Sequence, residues 1–166
     1  INIAGGNDGS AVGGRPGMGG FQATDGMLTI TGGTLKVNAS GDGLDSNGGI
    51  AISGGTIYVS GPTSDGNGAF DYAGACEVTG GTFVIAGSSG MAQVPSSCTQ
   101  VCWGGTVRGQ AGEAVEVRDD SGNVVVSFTP EKAFAHVVIT SPDLVPGRSY
   151  TLWVGGSQAE SATLTA

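Results

Sequence analysis

A Gly-Gly-Thr cassette occurs three times in this chain within one hydrophobic pattern. Each copy reads apolar, polar, apolar, polar, Gly, Gly, Thr, apolar, any residue, apolar. The copies are Leu28–Val37, Ile50–Val59 and Cys76–Ile85. Their first glycines are 22 and 26 residues apart. A period in the twenties is typical of a solenoid, in which each repeat stacks on its neighbours because it cannot bury its own apolar face.

Four apolar positions align in all three copies and predict four ladders of inward-facing side chains. The ladders are Leu28/Ile50/Cys76, Ile30/Ile52/Val78, Leu35/Ile57/Phe83 and Val37/Val59/Ile85. The Gly-Gly pair is expected to let the backbone turn sharply between two strands, since glycine accepts positive φ. Hairpins of a β-sandwich are the alternative, but they do not repeat one turn in one register three times. The pattern therefore predicts an all-β chain built as a right-handed parallel β-helix.

The loops before the second and third cassettes also match each other. Counting back from the cassettes, Leu44 aligns with Phe70 and Asp45 with Asp71. We expect the two apolar residues to continue an inward ladder with Ile1 and Met91, and Asn2, Asp45 and Asp71 to form an outward one. Neighbouring strands are about 4.8 Å apart, so two stacked carboxylates repel each other unless something compensates their charge.

Composition and charge narrow the classes of function. Glycine accounts for 33 of 166 residues, no window shows helical periodicity with caps, and no apolar run is long enough for a membrane helix. The net charge is −8, and residues 1–103 hold seven acids against Arg15 and Lys36. This balance disfavours nucleic acid and insertion into an anionic membrane. It favours a hard divalent cation.

Calcium is the cation that these loops suit, because it takes six to eight oxygen ligands from flexible, Gly-rich segments. The candidate ligands are Asp42, Asp45, Asn47, Asp65, Asn67 and Asp71. The alternative is that Asp and Asn serve here only as turn formers. The register match of Asp45 with Asp71 favours the metal interpretation for that pair.

Taken together, these motifs resemble a family of bacterial secreted proteins described as carbohydrate-binding domain-containing. The resemblance rests on the cassettes, the loops GDGLDSNG and GPTSDGNGAFDYAG, the run FVIAGSSGMAQ and the C-terminal stretch from Asp119 to Gly156. It implies a right-handed parallel β-helix similar to pectate lyases, with bound calcium. It also implies an extracellular or cell-surface location and binding to cellulose and acidic pectic polymers without clear lyase activity. The chain matches the C-terminal half of a member, and further N-terminal coils are expected to be missing.

We expect residues 1–103 to form the coils and residues 104–166 a small antiparallel β unit that caps them. A Gly-rich insertion at 3–26 is either a functional loop or a linker. Gly104-Gly-Thr106 imitates the cassette, either by coincidence or as a degenerate last coil. His136, the only histidine, is expected to be an exposed strand residue of the cap.

The three cysteines are too few for a disulfide scaffold. Cys76 occupies an inward ladder position and is expected to act as a small apolar side chain. Cys98 and Cys102 are candidates for a local disulfide in an oxidising compartment, or for pairing with another chain.

Catalysis is not expected from these residues. Lys36 is the only basic residue in the cassettes and is expected to point outward into solvent, so it is a poor candidate for a general base. A calcium-dependent, non-catalytic polysaccharide-binding protein is the favoured function, with Lys36, Tyr58 and Tyr72 as candidate sugar contacts. Ordinary surface tyrosines are the alternative for the last two. The alternative function is a structural one, in which open coil ends assemble into an extracellular fibre.

Overall fold

The computed structural model of the chain describes residues 2–5 and 25–163, and within these ranges the protein is all-β with no helix. The first eight strands are β1 (Asn2–Gly5), β2 (Met27–Ala39), β3 (Leu44–Ser46), β4 (Gly49–Ser60), β5 (Phe70–Tyr72), β6 (Cys76–Gly87), β7 (Ser97–Cys98) and β8 (Cys102–Gly105). The others are β9 (Val115–Arg118), β10 (Val124–Phe128), β11 (His136–Thr140), β12 (Ser149–Val154) and β13 (Ser157–Thr163). Ile1, Arg15 and most of the predicted insertion at 3–26 lie outside the described residues.

The three cassettes form the parallel strands β2, β4 and β6, which pair in register as neighbours of one sheet. All four predicted ladders are confirmed, because each aligned set consists of directly paired residues. The middle rungs Ile50, Ile52, Ile57 and Val59 are each at most 1 % exposed. Stacking of identical patterns therefore buries a continuous apolar core, which no single repeat could do.

The Gly-Gly pair acts differently from the prediction of a turn between two separate strands. Each cassette is one strand that continues through the pair, and the pairing register shifts there in all three copies. The second glycine has φ of +82° at Gly33, +97° at Gly55 and +90° at Gly81. Because every cassette strand bulges at the same place, the register is regained after the glycines, so the bulges stack as the side chains do.

A second parallel pair comes from the loops between the cassettes. Strands β3 and β5 pair Leu44 with Phe70 and Asp45 with Asp71, as predicted. Leu44 and Phe70 are buried. The ladder does not extend to Met91, which is 41 % exposed and lies in a turn. The third loop forms no strand at that point, so the prediction for Met91 is wrong. The prediction for Asn2 is also wrong, because Asn2 pairs with Lys36 of β2 and not with Asp45.

The C-terminal segment contributes to two sheets. Strand β11 pairs antiparallel with β6 and with β8, which extends the first sheet beyond the cassettes. Gly104-Gly-Thr106 does not continue the cassette ladders, since β11 lies between β8 and β6 in the sheet. Strands β10, β9, β12 and β13 form a separate antiparallel sheet in that order. His136 lies at the start of β11 and is half-buried rather than exposed, and this burial lowers its pKa.

Two cores result from this arrangement. The first fills the interior between the cassette strands and β3–β5. The second joins the outer face of the first sheet, at Val84, Ala86 and Ile139, to Val117 and Leu152 of the antiparallel sheet. The C-terminal half of β6, from Phe83 to Gly87, is consequently buried on both faces, while the outer faces of β4 and β2 are progressively more exposed.

Candidate functional site

An outward ladder of Lys36, Tyr58 and Val84 runs across the cassettes from the exposed to the covered end of the first sheet. Lys36 pairs with Tyr58, and Tyr58 pairs with Val84. Val84 is 1 % exposed beneath the antiparallel sheet, Tyr58 is half-buried and Lys36 is exposed. The ladder therefore crosses the edge of the covering sheet, and a groove begins where the cover ends.

This groove, which we call the aromatic groove, is lined by Lys36, Tyr58, Ser60, Ser127, Phe128 and Glu131 and has a volume of about 310 Å³. Phe128 stacks on Tyr58, with ring centroids 4.9 Å apart and an interplanar angle of 10°. The stack holds the Tyr58 ring in a fixed orientation, and the part that Phe128 leaves uncovered lines the groove. Two of the three predicted sugar contacts, Lys36 and Tyr58, are thus brought together.

The far wall of the groove is fastened to the cassettes by three hydrogen bonds. Asn38 Nδ2 donates to Glu131 Oε2 at 2.8 Å, and the Glu131 amide donates to Ser60 Oγ at 2.9 Å. The Lys132 ammonium donates to the Ala39 carbonyl. Because these bonds join residues far apart in sequence, they fix the width of the groove without help from local structure. A fixed aromatic surface bordered by hydroxyls, a carboxylate and a cation suits a sugar chain, which presents apolar ring faces and hydroxyl edges.

A second concavity, the acidic pocket, lies over β3 and β5. It has a volume of about 210 Å³ and is lined by Asp45, Ser46, Asn47, Asp71, Tyr72 and Gln93, among others. Tyr72 is held in place, since its hydroxyl donates to the Val94 carbonyl at 2.7 Å and its ring meets the edge of Phe70. The Tyr72 amide donates to Gln93 Oε1 at 2.9 Å. Three of the six predicted calcium ligands therefore share one pocket with Tyr72.

The other three predicted ligands lie elsewhere and connect successive loops. Asp42 Oδ1 accepts the Gly68 amide at 2.6 Å, and Asp65 Oδ1 accepts the Gly90 amide at 3.0 Å. The Asn67 carbonyl accepts the Ser88 hydroxyl at 2.7 Å. These bonds span 21 to 26 residues, about one repeat, so the three residues join one loop to the next.

The acidic pocket offers calcium mainly hard oxygen donors, although the Met91 side chain also lines it. Its side chains supply two carboxylates at Asp45 and Asp71, the Asn47 carboxamide and the Ser46 hydroxyl. Across the described residues, no group of three or more His, Cys, Asp or Glu side chains is placed to hold a metal. A calcium ion here would thus need amide, hydroxyl, backbone and water oxygens in addition to the two carboxylates, as weak calcium sites do.

The cysteines cluster at the end of the first core but are all free thiols. Cys76 is fully buried, as expected, and burial raises its pKa to about 12. Burial also raises the pKa of Cys98 and of Cys102, while a hydrogen bond between their side chains opposes the shift at Cys98. The disulfide between them is not formed in this structure and stays a prediction, as does pairing with another chain.

The family model of the carbohydrate-binding domain-containing proteins matches residues 16–144, a span that includes the cassettes, the aromatic groove and the acidic pocket. The chain belongs to this family. No curated protein and no solved structure matches the chain. The family's match extends past the cassettes through β11, so the segment that forms the far wall of the groove is part of the family domain. No helix in the described parts of the chain is suited to span a membrane.

Sequence reasoning missed the partners that the C-terminal segment brings to the site. Phe128 and Glu131 complete the groove, yet neither belongs to a repeat. Val124–Phe128 lies in the segment predicted to be a small antiparallel β unit, but it carries no signal that it would pack against Tyr58. The available signal for the groove was the alignment of Lys36 with Tyr58 at the same outward-facing position of two cassettes.

Proposed function

We propose that this protein is a non-catalytic polysaccharide-binding protein that holds a sugar chain in the aromatic groove. The observation that carries the proposal is the fixed Tyr58–Phe128 stack beside Lys36, within a domain of a carbohydrate-binding family. The ligand class is cellulose or an acidic pectic polymer. Lys36 offers a contact to a carboxylate, and the hydroxyls of Ser60 and Ser127 offer contacts to ring substituents.

We propose further that calcium binds in the acidic pocket and bridges the protein to an acidic polymer. The support is the direct pairing of Asp45 with Asp71 and the presence of Asn47 in the same pocket. A bridging cation accounts for binding of a polyanion by a chain of net charge −8. Asp42, Asp65 and Asn67 are left to join the coils rather than to hold this ion.

Substitution of both carboxylates tests the calcium proposal. We expect the double variant Asp45→Asn, Asp71→Asn to lose calcium binding, while the wild-type protein binds with a Kd of about 0.1 to 1 mM, typical of weak extracellular sites. Isothermal titration with calcium chloride measures this difference. Asp120→Asn is the matched control, since Asp120 is exposed and pairs with Arg148 away from the pocket. Equal binding by wild-type and double variant would contradict the assignment.

The proposed architecture is a right-handed parallel β-helix at the cell surface or outside the cell. Two parallel pairings support it: the cassettes stack in one sheet, and the intervening loops stack in another at the same coil offset. The coils, which we place within residues 1–103, would then be capped by the remaining segment. An apolar interior shared by the two sheets is what such a coil requires.

A structural role is the second candidate, favoured by the exposed start of strand β2. Among the described residues, β1 pairs with Lys36–Ala39 alone, and Met27 at the start of β2 is 63 % exposed. A second copy adding a strand there would form the fibre. We expect sedimentation velocity at increasing concentration to show concentration-dependent assembly that Met27→Lys suppresses. A monomer at every concentration, with and without calcium, would contradict this second role.

A further inference from the structure

We propose that a third pocket binds the carboxylate of an acidic sugar directly through Arg108. This arginine pocket has a volume of about 290 Å³ and is lined by Arg108, Asp65, Thr63, Ser88, Ser89 and Phe134, among others. It lies between the turns that follow β4 and β6 and the segment that precedes β11. It is separate from the aromatic groove and from the acidic pocket, which have no lining residue in common with it.

The pocket has a rigid floor. Phe134 is 5 % exposed, and its backbone exchanges two hydrogen bonds with Gly109, at 3.1 and 3.0 Å. A Cβ on Gly109 would lie 2.3 Å from Cζ of the Phe134 ring, so the backbone beside Arg108 rests directly on that ring. The guanidinium is therefore carried by a segment whose position is set by packing rather than by a free loop.

The charges in this pocket face one another without pairing. The ion pairs among the described residues join Arg118 to Glu116 and Arg148 to Asp120, and Lys132 donates to a carbonyl. Arg108 is exposed and takes part in neither ion pair, although Asp65 lines the same pocket. Arg108 and Asp65 thus carry opposite charges on the lining of one pocket without an ion pair between them among the described residues, so a ligand can bind between them.

These groups define the chemistry of the ligand. The Arg108 fork matches a carboxylate, which it can bind through two parallel hydrogen bonds. Asp65 uses Oδ1 to accept the Gly90 amide and has its other oxygen to accept a sugar hydroxyl. Asp65 also disfavours a sulfate or phosphate dianion, whose charge Arg108 alone does not balance. A uronic acid carries both a carboxylate and hydroxyls on one ring, so it offers an acceptor to Arg108 and a donor to Asp65.

This inference rests on the proposed polysaccharide binding and adds a direct, calcium-independent contact to it. Binding is therefore measured in excess EGTA, by isothermal titration with a galacturonate trisaccharide and with its methyl ester. We expect Arg108→Gln to weaken binding of the acid about tenfold or more and to leave binding of the ester unchanged, because only the acid offers a charged acceptor. Higher salt should weaken binding of the acid and leave binding of the ester unchanged. Arg148→Gln is the control, since Arg148 is exposed and already paired with Asp120.

Each outcome of the titration separates the two proposals. Wild-type affinity for the acid in Arg108→Gln, together with weaker binding in Tyr58→Ala, would overturn the arginine pocket and leave the aromatic groove as the binding site. Equal losses in Arg108→Gln and Arg148→Gln would also overturn it, because they would reflect overall charge. A wild-type protein that binds neither trisaccharide in EGTA, and no polymer with calcium, would overturn the inference and the proposed function together.

Discussion

Replacing Gly81 by alanine is expected to lower the free energy of unfolding by about 2 to 5 kcal/mol. Gly81 has φ of +90°, which costs an L-residue about 1 to 2 kcal/mol. A Cβ there would also lie 2.9 Å from the Gly54 carbonyl carbon and 3.0 Å from the Gly55 oxygen of the preceding coil. Both atoms are backbone in a paired strand, so strands β4 and β6 must separate to relieve the overlap, which adds about 1 to 3 kcal/mol.

Gly33 provides the matched control for that prediction. It holds the same place in the first cassette with φ of +82°, yet no described heavy atom lies within 4 Å of a Cβ built on it. Gly33→Ala should therefore lower the free energy of unfolding only by the cost of positive φ at an L-residue. Urea denaturation followed by circular dichroism measures the free energy of unfolding of both variants. The pair Gly80→Ala and Gly32→Ala repeats the comparison without positive φ, since only the Gly80 Cβ would meet the coil below, at 2.5 Å from the Ser53 oxygen. Equal costs within each pair would contradict stacking of the bulges.

Replacing Tyr58 by alanine is expected to weaken polysaccharide binding about thirtyfold or more, as loss of a central aromatic contact does. The change removes the ring that lines the groove and leaves Phe128 without its stacking partner. The orientation of both rings is set before a ligand arrives, so the wild-type protein spends little free energy on ordering them. Affinity electrophoresis in gels containing polygalacturonate or a soluble cellulose derivative measures the effect.

Tyr58→Phe is the matched control, because it keeps the stack and removes only the hydroxyl. We expect it to bind almost as well as the wild-type protein. Since Tyr58 also packs against the second core, the circular dichroism spectrum and unfolding midpoint of both variants must be compared first. Retention of full affinity in a folded Tyr58→Ala protein would remove the aromatic groove from the account of binding.

The repeats made the parallel pairing of the cassette strands predictable. Three copies of one pattern fix which residues pair, and the pairings Leu35–Ile57–Phe83 and Asp45–Asp71 follow from alignment alone. The behaviour of the Gly-Gly pair was harder to predict, because a sharp turn and a stacked bulge both require positive φ at glycine. The neighbouring coil decides between them, and its contact with Gly81 cannot be seen in a single cassette.

Among the residues of the candidate sites, only those that belong to the repeats could be predicted to lie together. Lys36 and Tyr58 share an outward register position, so their adjacency follows from the same alignment. Phe128, Glu131 and Arg108 come from a segment without repeats, which reaches the cassettes through contacts such as Asn38–Glu131, 93 residues apart in sequence. The sequence also could not show which acidic residues line the acidic pocket and which join successive loops. Asp42 and Asp65 join loops because a backbone amide lies opposite each carboxylate, and a single loop sequence does not reveal that amide.

An NMR titration of the ¹⁵N-labelled protein with oligogalacturonate and with a cellulose oligosaccharide, each with calcium, tests the central claim most directly. The account predicts that amide shifts change with ligand concentration around Lys36, Tyr58 and Phe128, with a dissociation constant that matches affinity electrophoresis. For oligogalacturonate it also predicts changes near Asp71 that EGTA abolishes. Saturable binding whose shift changes all lie away from the aromatic groove, or no shift changes with either sugar, would contradict it.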